Sequence, residues 1–119
     1  MSEALPVLIC DDEPRLTMLT AGLLEQRGLS AKTAHDGARA LELAAAEGFR
    51  VMLLDVNLAG MTALELLQRL DAAGIDLPVL LSSGYSAEDV PPALRDHPRV
   101  CGFLAKPYPV DRLIAAIES

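Results

Sequence analysis

The chain is poor in aromatic and in basic side chains, and both shortages limit what it can bind. Its 119 residues include no tryptophan, and phenylalanine and tyrosine occur only twice each. Acidic side chains number 17 against 10 lysines and arginines, so the formal net charge is −7. Surfaces that bind DNA or RNA need clustered Lys and Arg, usually with stacking platforms. The composition therefore argues against direct nucleic-acid binding.

Cysteine is scarce too, and long apolar runs are absent. Cys10 and Cys101 lack CxxC spacing and have no histidine nearby, so we expect two reduced, buried thiols rather than a disulfide framework or a zinc site. No apolar run approaches the roughly 20 residues that span a bilayer. Residues 1–4 carry an acid rather than the basic stretch of an export signal. These features predict no membrane insertion and a cytoplasmic location.

What the sequence does contain is enough apolar material for one folded core. Hydrophobic residues make up 51 % of the chain and charged residues 23 %, a balance that excludes intrinsic disorder as the main state. A chain of this length supports one compact unit. Residues 1–119 are therefore interpreted as a single domain.

Strand-like apolar runs alternate with helical patterns from end to end. The predicted strands are residues 5–10, 29–34, 51–54, 78–83 and 100–104, and the second, more polar run is typical of a sheet edge. Five such alternations predict an α/β fold, in which helices cover both faces of a five-stranded parallel sheet.

Two of the predicted helices have informative sequences. In the first, four leucines recur at the spacing of one buried face: Leu16, Leu19, Leu23 and Leu24. In the fourth, Pro91 and Pro92 remove two backbone donors, so this helix should be short, late-starting or irregular.

Polar side chains cluster where the predicted strands end, namely Asp11, Asp12, Asp55, Ser83 and Lys106. Ligand sites of such sheets lie outside the carboxyl ends of the strands, so we expect these side chains to meet. Three crowded carboxylates need a cation among them, and hard oxygen ligands favour Mg²⁺ or Mn²⁺. A lysine and a hydroxyl opposite the metal are suited to phosphoryl oxygens. The pattern predicts a phosphoryl-transfer site.

The chain has no P-loop glycine pattern, so the phosphoryl group is expected to land on the protein itself. Asp55 is the natural acceptor because carboxylates act as covalent nucleophiles. Plainer interpretations remain open, since Asp11 and Asp12 could be helix N-terminal acids and Ser83 an ordinary turn hydroxyl. His35 and His97 have no carboxylate at ligand spacing and are predicted to be solvent-exposed, not phosphorelay histidines.

Taken together and in order, these residues resemble the receiver domains of response regulators in bacterial two-component signalling. The resemblance covers essentially the whole chain and rests on four marks: Asp11-Asp12, Asp55, Ser83-Gly84 and Lys106-Pro107. It implies the sheet order 2-1-3-4-5. It also implies that Asp55 accepts a phosphoryl group from a partner histidine kinase or histidine phosphotransfer protein, and that the domain catalyses only its own phosphorylation and dephosphorylation.

The resemblance further implies how the metal is held. Asp12, Asp55 and the main-chain carbonyl of Asn57 would ligate Mg²⁺, with Asp11 acting through a water. Ser83 would hydrogen-bond the phosphoryl group.

The same resemblance assigns roles around the fifth strand. Lys106 would pair with the phosphoryl group and be joined to Pro107 by a cis peptide. Phe103 matches the switch aromatic of the family, whereas its residue type alone predicts ordinary core packing.

The chain departs from the family pattern in three places. Ala59 stands where a proline is common in the family, which predicts a less rigid loop. Asn57 and Tyr85 occupy positions that, in the family, tune the attack of water on the acyl phosphate. Pro91 and Pro92 interrupt the fourth helix, so we do not expect the usual dimer face built on the fourth and fifth helices.

Other functions fit these residues less well. The main alternative is a receiver-like interaction module that works without phosphorylation. A hydrolase resembling haloacid dehalogenases would need D-x-D after the first strand, but here Glu13 lies two residues after Asp11. A flavodoxin-like electron carrier is also disfavoured, because the acidic residues 11–13 would repel the phosphate of FMN. Because the sequence ends just after the fifth helix, we expect no attached effector domain, and the chain is either a single-domain regulator or a receiver cut from a longer protein. Residues 81–86 resemble receivers of hybrid histidine kinases.

Overall fold

The computed structural model describes residues 5–58, 60–84 and 86–118. Its centre is a five-stranded parallel sheet in the order β2-β1-β3-β4-β5. The strands are β1 (Val7–Cys10), β2 (Ala31–Ala34), β3 (Val51–Asp55), β4 (Val79–Ser83) and β5 (Val100–Ala105). The predicted α/β class and the implied strand order are both confirmed.

In the part of the chain that the structure describes, five helices accompany the strands: α1 (Pro14–Gln26), α2 (Gly37–Ala46), α3 (Ala63–Ala72), α4 (Pro92–Arg95) and α5 (Val110–Glu118). A 3₁₀ turn, Ala87–Asp89, precedes α4. The fourth helix is only four residues long, as predicted, because Pro91 and Pro92 cannot donate backbone hydrogen bonds to a preceding turn.

The sheet separates two apolar clusters, because side chains alternate between its faces. One cluster packs under α2, α3 and α4, and its central members are Leu8, Met52, Leu54, Leu67 and Leu81. The other packs under α1 and α5, and its central members are Ile9, Leu24, Leu53, Leu80 and Leu113. The three inner strands are thus buried on both faces, which explains their uninterrupted apolar sequences.

The predicted buried face of α1 is confirmed for Leu24 and wrong for Leu19. The residues that this helix buries are Thr17, Thr20 and Leu24, whereas Leu19 is 60 % exposed. Thr17 can be buried because its hydroxyl donates to the Pro14 carbonyl at 2.9 Å. Leu16 and Leu23 are half-buried and line a groove beside α5 rather than facing the sheet. Leucine spacing shows that a helix is amphipathic but does not distinguish these two settings.

The third helix has well-defined ends. Its first turn carries a capping box, in which Thr62 Oγ1 accepts from the Glu65 amide at 3.1 Å and Glu65 Oε1 accepts from the Thr62 amide at 3.3 Å. Gly74, with φ of 69°, follows its last residues. The capping box therefore gives the loop between β3 and α3 a well-defined end at Thr62.

Two predictions about single side chains are corrected. Cys10 is buried as expected, but Cys101 is exposed because β5 is an edge strand. His35 is exposed as expected, although its Nε2 lies 3.1 Å from Thr17 Oγ1. The side chain of His97 is only 13 % exposed, and its Nε2 lies 3.0 Å from Asp71 Oδ2. The carboxylate partner of His97 is 26 residues away, so local spacing did not reveal it.

Candidate functional site

The acidic residues singled out in the sequence lie together at the carboxyl edge of the sheet. Asp11 directly follows β1, and its amide donates to the Ala34 carbonyl of β2 at 3.1 Å. Asp55 is the last residue of β3. Because β1 and β3 are parallel neighbours, their ends bring the two carboxylates side by side.

Lys106 joins these carboxylates from the far side of the sheet. Its Nζ donates to Asp11 Oδ2 at 2.9 Å and lies 3.5 Å from Asp55 Oδ2. Its amide donates to the Ser83 carbonyl at 2.7 Å, which ties the end of β5 to the end of β4. The peptide between Lys106 and Pro107 is cis, as the resemblance implied. The five strands thus place one ammonium between two buried carboxylates.

Among the described residues, three carboxylates form a group that could hold a metal ion. One oxygen each from Asp11, Asp12 and Asp55 lie within 4.8 Å of one another. Asp11 and Asp55 are each only 5 % exposed, whereas Asp12 is exposed. Lys106 balances one of the three negative charges, so a divalent cation would balance the rest. Clustered carboxylate oxygens are the ligand type that Mg²⁺ and Mn²⁺ prefer, and the donor set therefore fits such an ion.

Backbone amides orient both buried carboxylates. Glu13 N donates to Asp11 Oδ1 at 3.0 Å, and Asn57 N donates to Asp55 Oδ1 at 3.2 Å. In each carboxylate one oxygen is held by the following loop, and the other faces Lys106. The two loops thereby fix the directions in which the carboxylates point.

Burial and charge shift the pKa values in this site. Burial raises the pKa of Asp55, against the opposing effects of the Asn57 amide and of Lys106. Burial lowers the pKa of Lys106, but the hydrogen bond to Asp11 and the charge of Asp55 outweigh it, so the net shift is upward. The ammonium therefore stays protonated at neutral pH, while burial disfavours the charged form of Asp55.

Two neighbouring groups remain neutral. Burial and the charge of Asp11 raise the pKa of the Cys10 thiol to about 12. Burial, with the charges of Asp11 and Asp55, likewise raises the pKa of Tyr108 to about 12. Neither the thiol nor the phenol is ionised at neutral pH, so neither is a candidate nucleophile.

The other predicted site residues lie at different depths. Ser83 is fully buried at the end of β4, and Asn57 is exposed on the loop after β3. Phe103 is half-buried and packs against the apolar cluster under α2, α3 and α4. Ala59 and Tyr85, on which two departures from the family pattern rest, lie outside the described residues, as do residues 1–4.

Two residues near the site received no role from sequence reasoning. Glu13 lines the open cleft above the carboxylates together with Asp12, Asn57 and Gly84. Tyr108 is half-buried beside Asp11. Their only sequence signal is adjacency, since Glu13 follows the acidic pair and Tyr108 lies two residues after Lys106.

Comparison with known families decides what this arrangement belongs to. The family model described as the response regulator receiver domain matches residues 7–118. The chain belongs to this family.

Relatives of the receiver domain include both regulators and kinases. The nitrogen assimilation regulatory protein NtrX of Azorhizobium caulinodans is 36 % identical over 115 residues, covering 94 % of this chain and 25 % of NtrX. The sensor histidine kinase RcsC of Salmonella typhi is 33 % identical over 108 residues, covering 90 % of this chain and 11 % of RcsC. The receiver domain thus spans a quarter or less of these two relatives.

A solved structure is similar to this receiver domain in both sequence and shape. The response regulator protein from Burkholderia pseudomallei with a phosphorylated aspartic acid, a calcium ion and citrate matches with a TM-score of 0.80 and 31 % identity. The match covers 94 % of this chain and 65 % of that one.

These findings identify a receiver domain of two-component signalling, a family in which phosphorylation and Mg²⁺ binding are general features. The interpretation as a module that works without phosphorylation is not favoured. Among the described residues, no helix has the length and apolarity needed to cross a membrane.

Proposed function

We propose that this receiver domain accepts a phosphoryl group on Asp55 from the phosphohistidine of a partner histidine kinase or histidine phosphotransfer protein, with Mg²⁺ or Mn²⁺ bound. The observation that carries the proposal is the position of Lys106 Nζ, 2.9 Å from Asp11 Oδ2 and 3.5 Å from Asp55 Oδ2. An ammonium there lies beside the atom that would receive the phosphoryl group. We extend the receiver domain to all of residues 1–119.

The transfer replaces one bond to phosphorus by another. A carboxylate oxygen of Asp55 bonds to phosphorus as the P–N bond to the histidine breaks, and the imidazole leaves with the electron pair and takes up a proton. Catalysis of such a step is mainly positioning and charge neutralisation. The Asn57 amide holds one oxygen of Asp55, and Lys106 compensates negative charge near the other.

The divalent cation would be held by Asp12, Asp55 and the main-chain carbonyl of Asn57, with Asp11 contributing through a water. When bound, it would supply positive charge opposite the phosphoryl oxygens. The three clustered carboxylate oxygens and their single lysine counter-charge support this ligand set.

The phosphoryl group would change the conformation by favouring one of two states. Ser83 would hydrogen-bond the phosphoryl group, and Phe103 would shift with the loop after β4. Ser83 is connected to the site through its carbonyl, which accepts from the Lys106 amide. The resulting surface would select a protein partner rather than nucleic acid, consistent with the net charge of −7. We propose that the domain acts in the cytoplasm and that it catalyses only its own phosphorylation and dephosphorylation.

The test is the intact mass of the protein after incubation with phosphoramidate or acetyl phosphate, with and without Mg²⁺. Asp55→Asn removes the proposed acceptor and nearly preserves its shape. Asp76→Asn, an exposed aspartate outside the site, is the matched control. We expect one Mg²⁺-dependent phosphoryl adduct in wild type and Asp76→Asn and none in Asp55→Asn.

Two results would contradict the proposal. An adduct that persists in Asp55→Asn would place the acceptor elsewhere, and a wild type without an adduct at saturating Mg²⁺ would remove phosphorylation as the function. Transfer from a ³²P-labelled histidine phosphotransfer protein to wild type, and not to Asp55→Asn, tests the donor class.

A further inference from the structure

A small cavity lies between α1 and the central strands, next to Asp11. Its volume is about 10 Å³, near the smallest space that holds one water molecule. Its polar lining consists of Asp11, Thr17, Thr20, Ser82 and Tyr108. A cavity of this size with several polar groups has the chemistry of a buried water site and not of an apolar void.

Two residues that carry hydroxyl groups in this lining are almost fully buried. Thr20, on α1, is 8 % exposed, and Ser82, on β4, is 2 % exposed. Within the part of the chain that the structure describes, no hydrogen bond joins either hydroxyl to a protein group, in contrast to Thr17, which bonds Pro14. Since no fully buried side-chain oxygen among the described residues lacks a partner, each of these hydroxyls is reachable by water, and a water in the cavity would supply its partner.

Asp11 has acceptor capacity left for such a ligand. One of its oxygens accepts from the Glu13 amide and the other from Lys106. A carboxylate offers about four acceptor sites, so further donors can bind it. Asp11 is itself only 5 % exposed, and a donor reaching it from the cavity side must be small.

We propose that the cavity binds a single water molecule, held by the hydroxyls of Thr20 and Ser82, and that this water donates to Asp11 and positions its carboxylate. The water accepts from one hydroxyl and donates to the other hydroxyl and to Asp11, which gives the three hydrogen bonds typical of buried water. Thr20 and Ser82 are thus positioning residues that act through Asp11. This positioning role rests on the proposed function, whereas the water site does not.

The position of Ser82 explains why such a water matters to the site. Ser82 is paired with Asp55 in the register of β3 and β4, its carbonyl accepts from the Val56 amide at 2.9 Å, and it directly precedes Ser83. A water shared by Thr20, Ser82 and Asp11 would connect α1 to the two strand ends that flank the acidic cluster. Partners behind the ligating carboxylates of a metal site orient them and tune its affinity.

The test combines detection of the water with Mg²⁺ binding by the unphosphorylated protein. The water is detected in a high-resolution crystal structure and by NMR cross-relaxation between long-lived water and the protons of Thr20. Thr20→Val removes the hydroxyl at nearly constant shape, and Thr20→Ser keeps it. Thr33→Val, on the edge strand β2 and away from the cavity, is the control for loss of a threonine hydroxyl.

We expect Thr20→Val to lose the water and to weaken Mg²⁺ binding by about tenfold, while Thr20→Ser and Thr33→Val match wild type. Ser82→Ala removes the hydroxyl from the opposite element and should act in the same direction, which also covers the case that Thr20→Val fails to fold. A wild type without a bound water overturns the site, and unchanged Mg²⁺ affinity in both hydroxyl-removing variants overturns the positioning role. A wild type that holds the water but binds no Mg²⁺ contradicts the proposed function and the positioning role, and leaves the water site supported.

Discussion

The ammonium of Lys106 donates to Asp11 Oδ2 at 2.9 Å, a shorter contact than the 3.5 Å that separates it from Asp55 Oδ2. The two residues of the shorter contact are 95 positions apart in sequence, so the pair exists only when β1 and β5 lie in the same sheet. In this state the lysine is held mainly by Asp11, and Asp55 keeps one oxygen less strongly engaged. That difference determines how the protein should respond to substitution of Lys106 and of Asp55.

Lys106→Met should destabilise the fold at neutral pH, because two buried carboxylates lose their only close cation among the described residues. We expect a loss of about 1–3 kcal/mol in the free energy of unfolding, measured by urea denaturation in EDTA. The loss should shrink in acid, where the carboxylates are protonated, and Mg²⁺ should restore part of it by binding the folded state.

Lys32→Met is the control for Lys106→Met. Lys32 pairs with Glu47 at 2.7 Å with half of its side chain exposed, and such surface pairs contribute only about 0–1 kcal/mol. Equal losses in the two variants would show that Lys106 acts as an ordinary surface charge.

Asp55→Asn should stabilise the protein in the absence of divalent cations. Because the pKa of Asp55 is raised in the folded state, the folded state binds more protons than the unfolded state between the ordinary and the raised pKa. Stability therefore falls as pH rises through that window, and the loss persists at neutral pH. Asn57 N can still donate to an amide oxygen at this position.

Urea unfolding between about pH 3 and about pH 8 measures this effect. We expect Asp55→Asn to exceed wild type by about 1 kcal/mol at neutral pH and the two curves to converge in acid. Mg²⁺ should stabilise wild type and have less effect on Asp55→Asn. A variant less stable than wild type at neutral pH would show that the Asp55 charge is fully compensated by its neighbours.

Arg99 fastens the start of β5 to α3 and to the loop before β4. Its Nη1 donates to the Ile75 and Leu77 carbonyls at 2.6 and 3.0 Å, and its Nη2 donates to Asp71 Oδ1 at 2.7 Å. Arg99→Lys keeps the charge but cannot form this fork. We expect it to reduce the free energy of unfolding by about 1–3 kcal/mol through the lost bonds to these partly buried carbonyls.

The pKa of Asp71 provides an independent measurement of the same contact. The hydrogen bond from Arg99, together with that from His97, lowers this pKa. The stabilisation is thus present above the ordinary aspartate pKa and is lost as pH falls through the lowered one. NMR titration of the Asp71 carboxyl carbon should show the pKa rising toward its ordinary value in Arg99→Lys, and an unchanged pKa would contradict the assigned cause.

Leu19 and Leu24 should respond very differently to truncation, although both lie on α1. Leu24 is fully buried in the cluster under α1 and α5, whereas Leu19 is 60 % exposed. We expect Leu24→Ala to lower the free energy of unfolding by about 2–5 kcal/mol and Leu19→Ala to change it by less than about 0.5 kcal/mol. The free energies of unfolding of the two variants are measured by urea denaturation. Similar losses would contradict the orientation of α1 on the sheet.

The order of elements, the short fourth helix and the position of the acidic cluster could all be predicted from the sequence. Each depends on a local property. Central strands such as Val51–Asp55 are apolar throughout because both of their faces are covered, and Pro91 and Pro92 act on the turn that contains them. The parallel sheet then brings residues after the strands to one edge, so Asp11, Asp12 and Asp55 could be expected to meet before their distances were known.

Other features depended on how the elements pack against each other. Periodicity determines that α1 has an apolar face but not the rotation of the helix on the sheet, so it did not reveal that Thr17 and Thr20 are buried while Leu19 is exposed. The prediction of an exposed His97 fails because its partner Asp71 is distant in sequence. Local spacing does not show such a contact.

The sequence by itself determined the sheet, the residues at its edge and the chemistry that they share, because these follow from local pattern and from the geometry of parallel strands. Only the tertiary structure decided that Lys106 lies closer to Asp11 than to Asp55, and that Thr20 and Ser82 line one small cavity beside Asp11. Both facts depend on how side chains from segments distant in sequence pack together in the interior. No local sequence pattern specifies that packing.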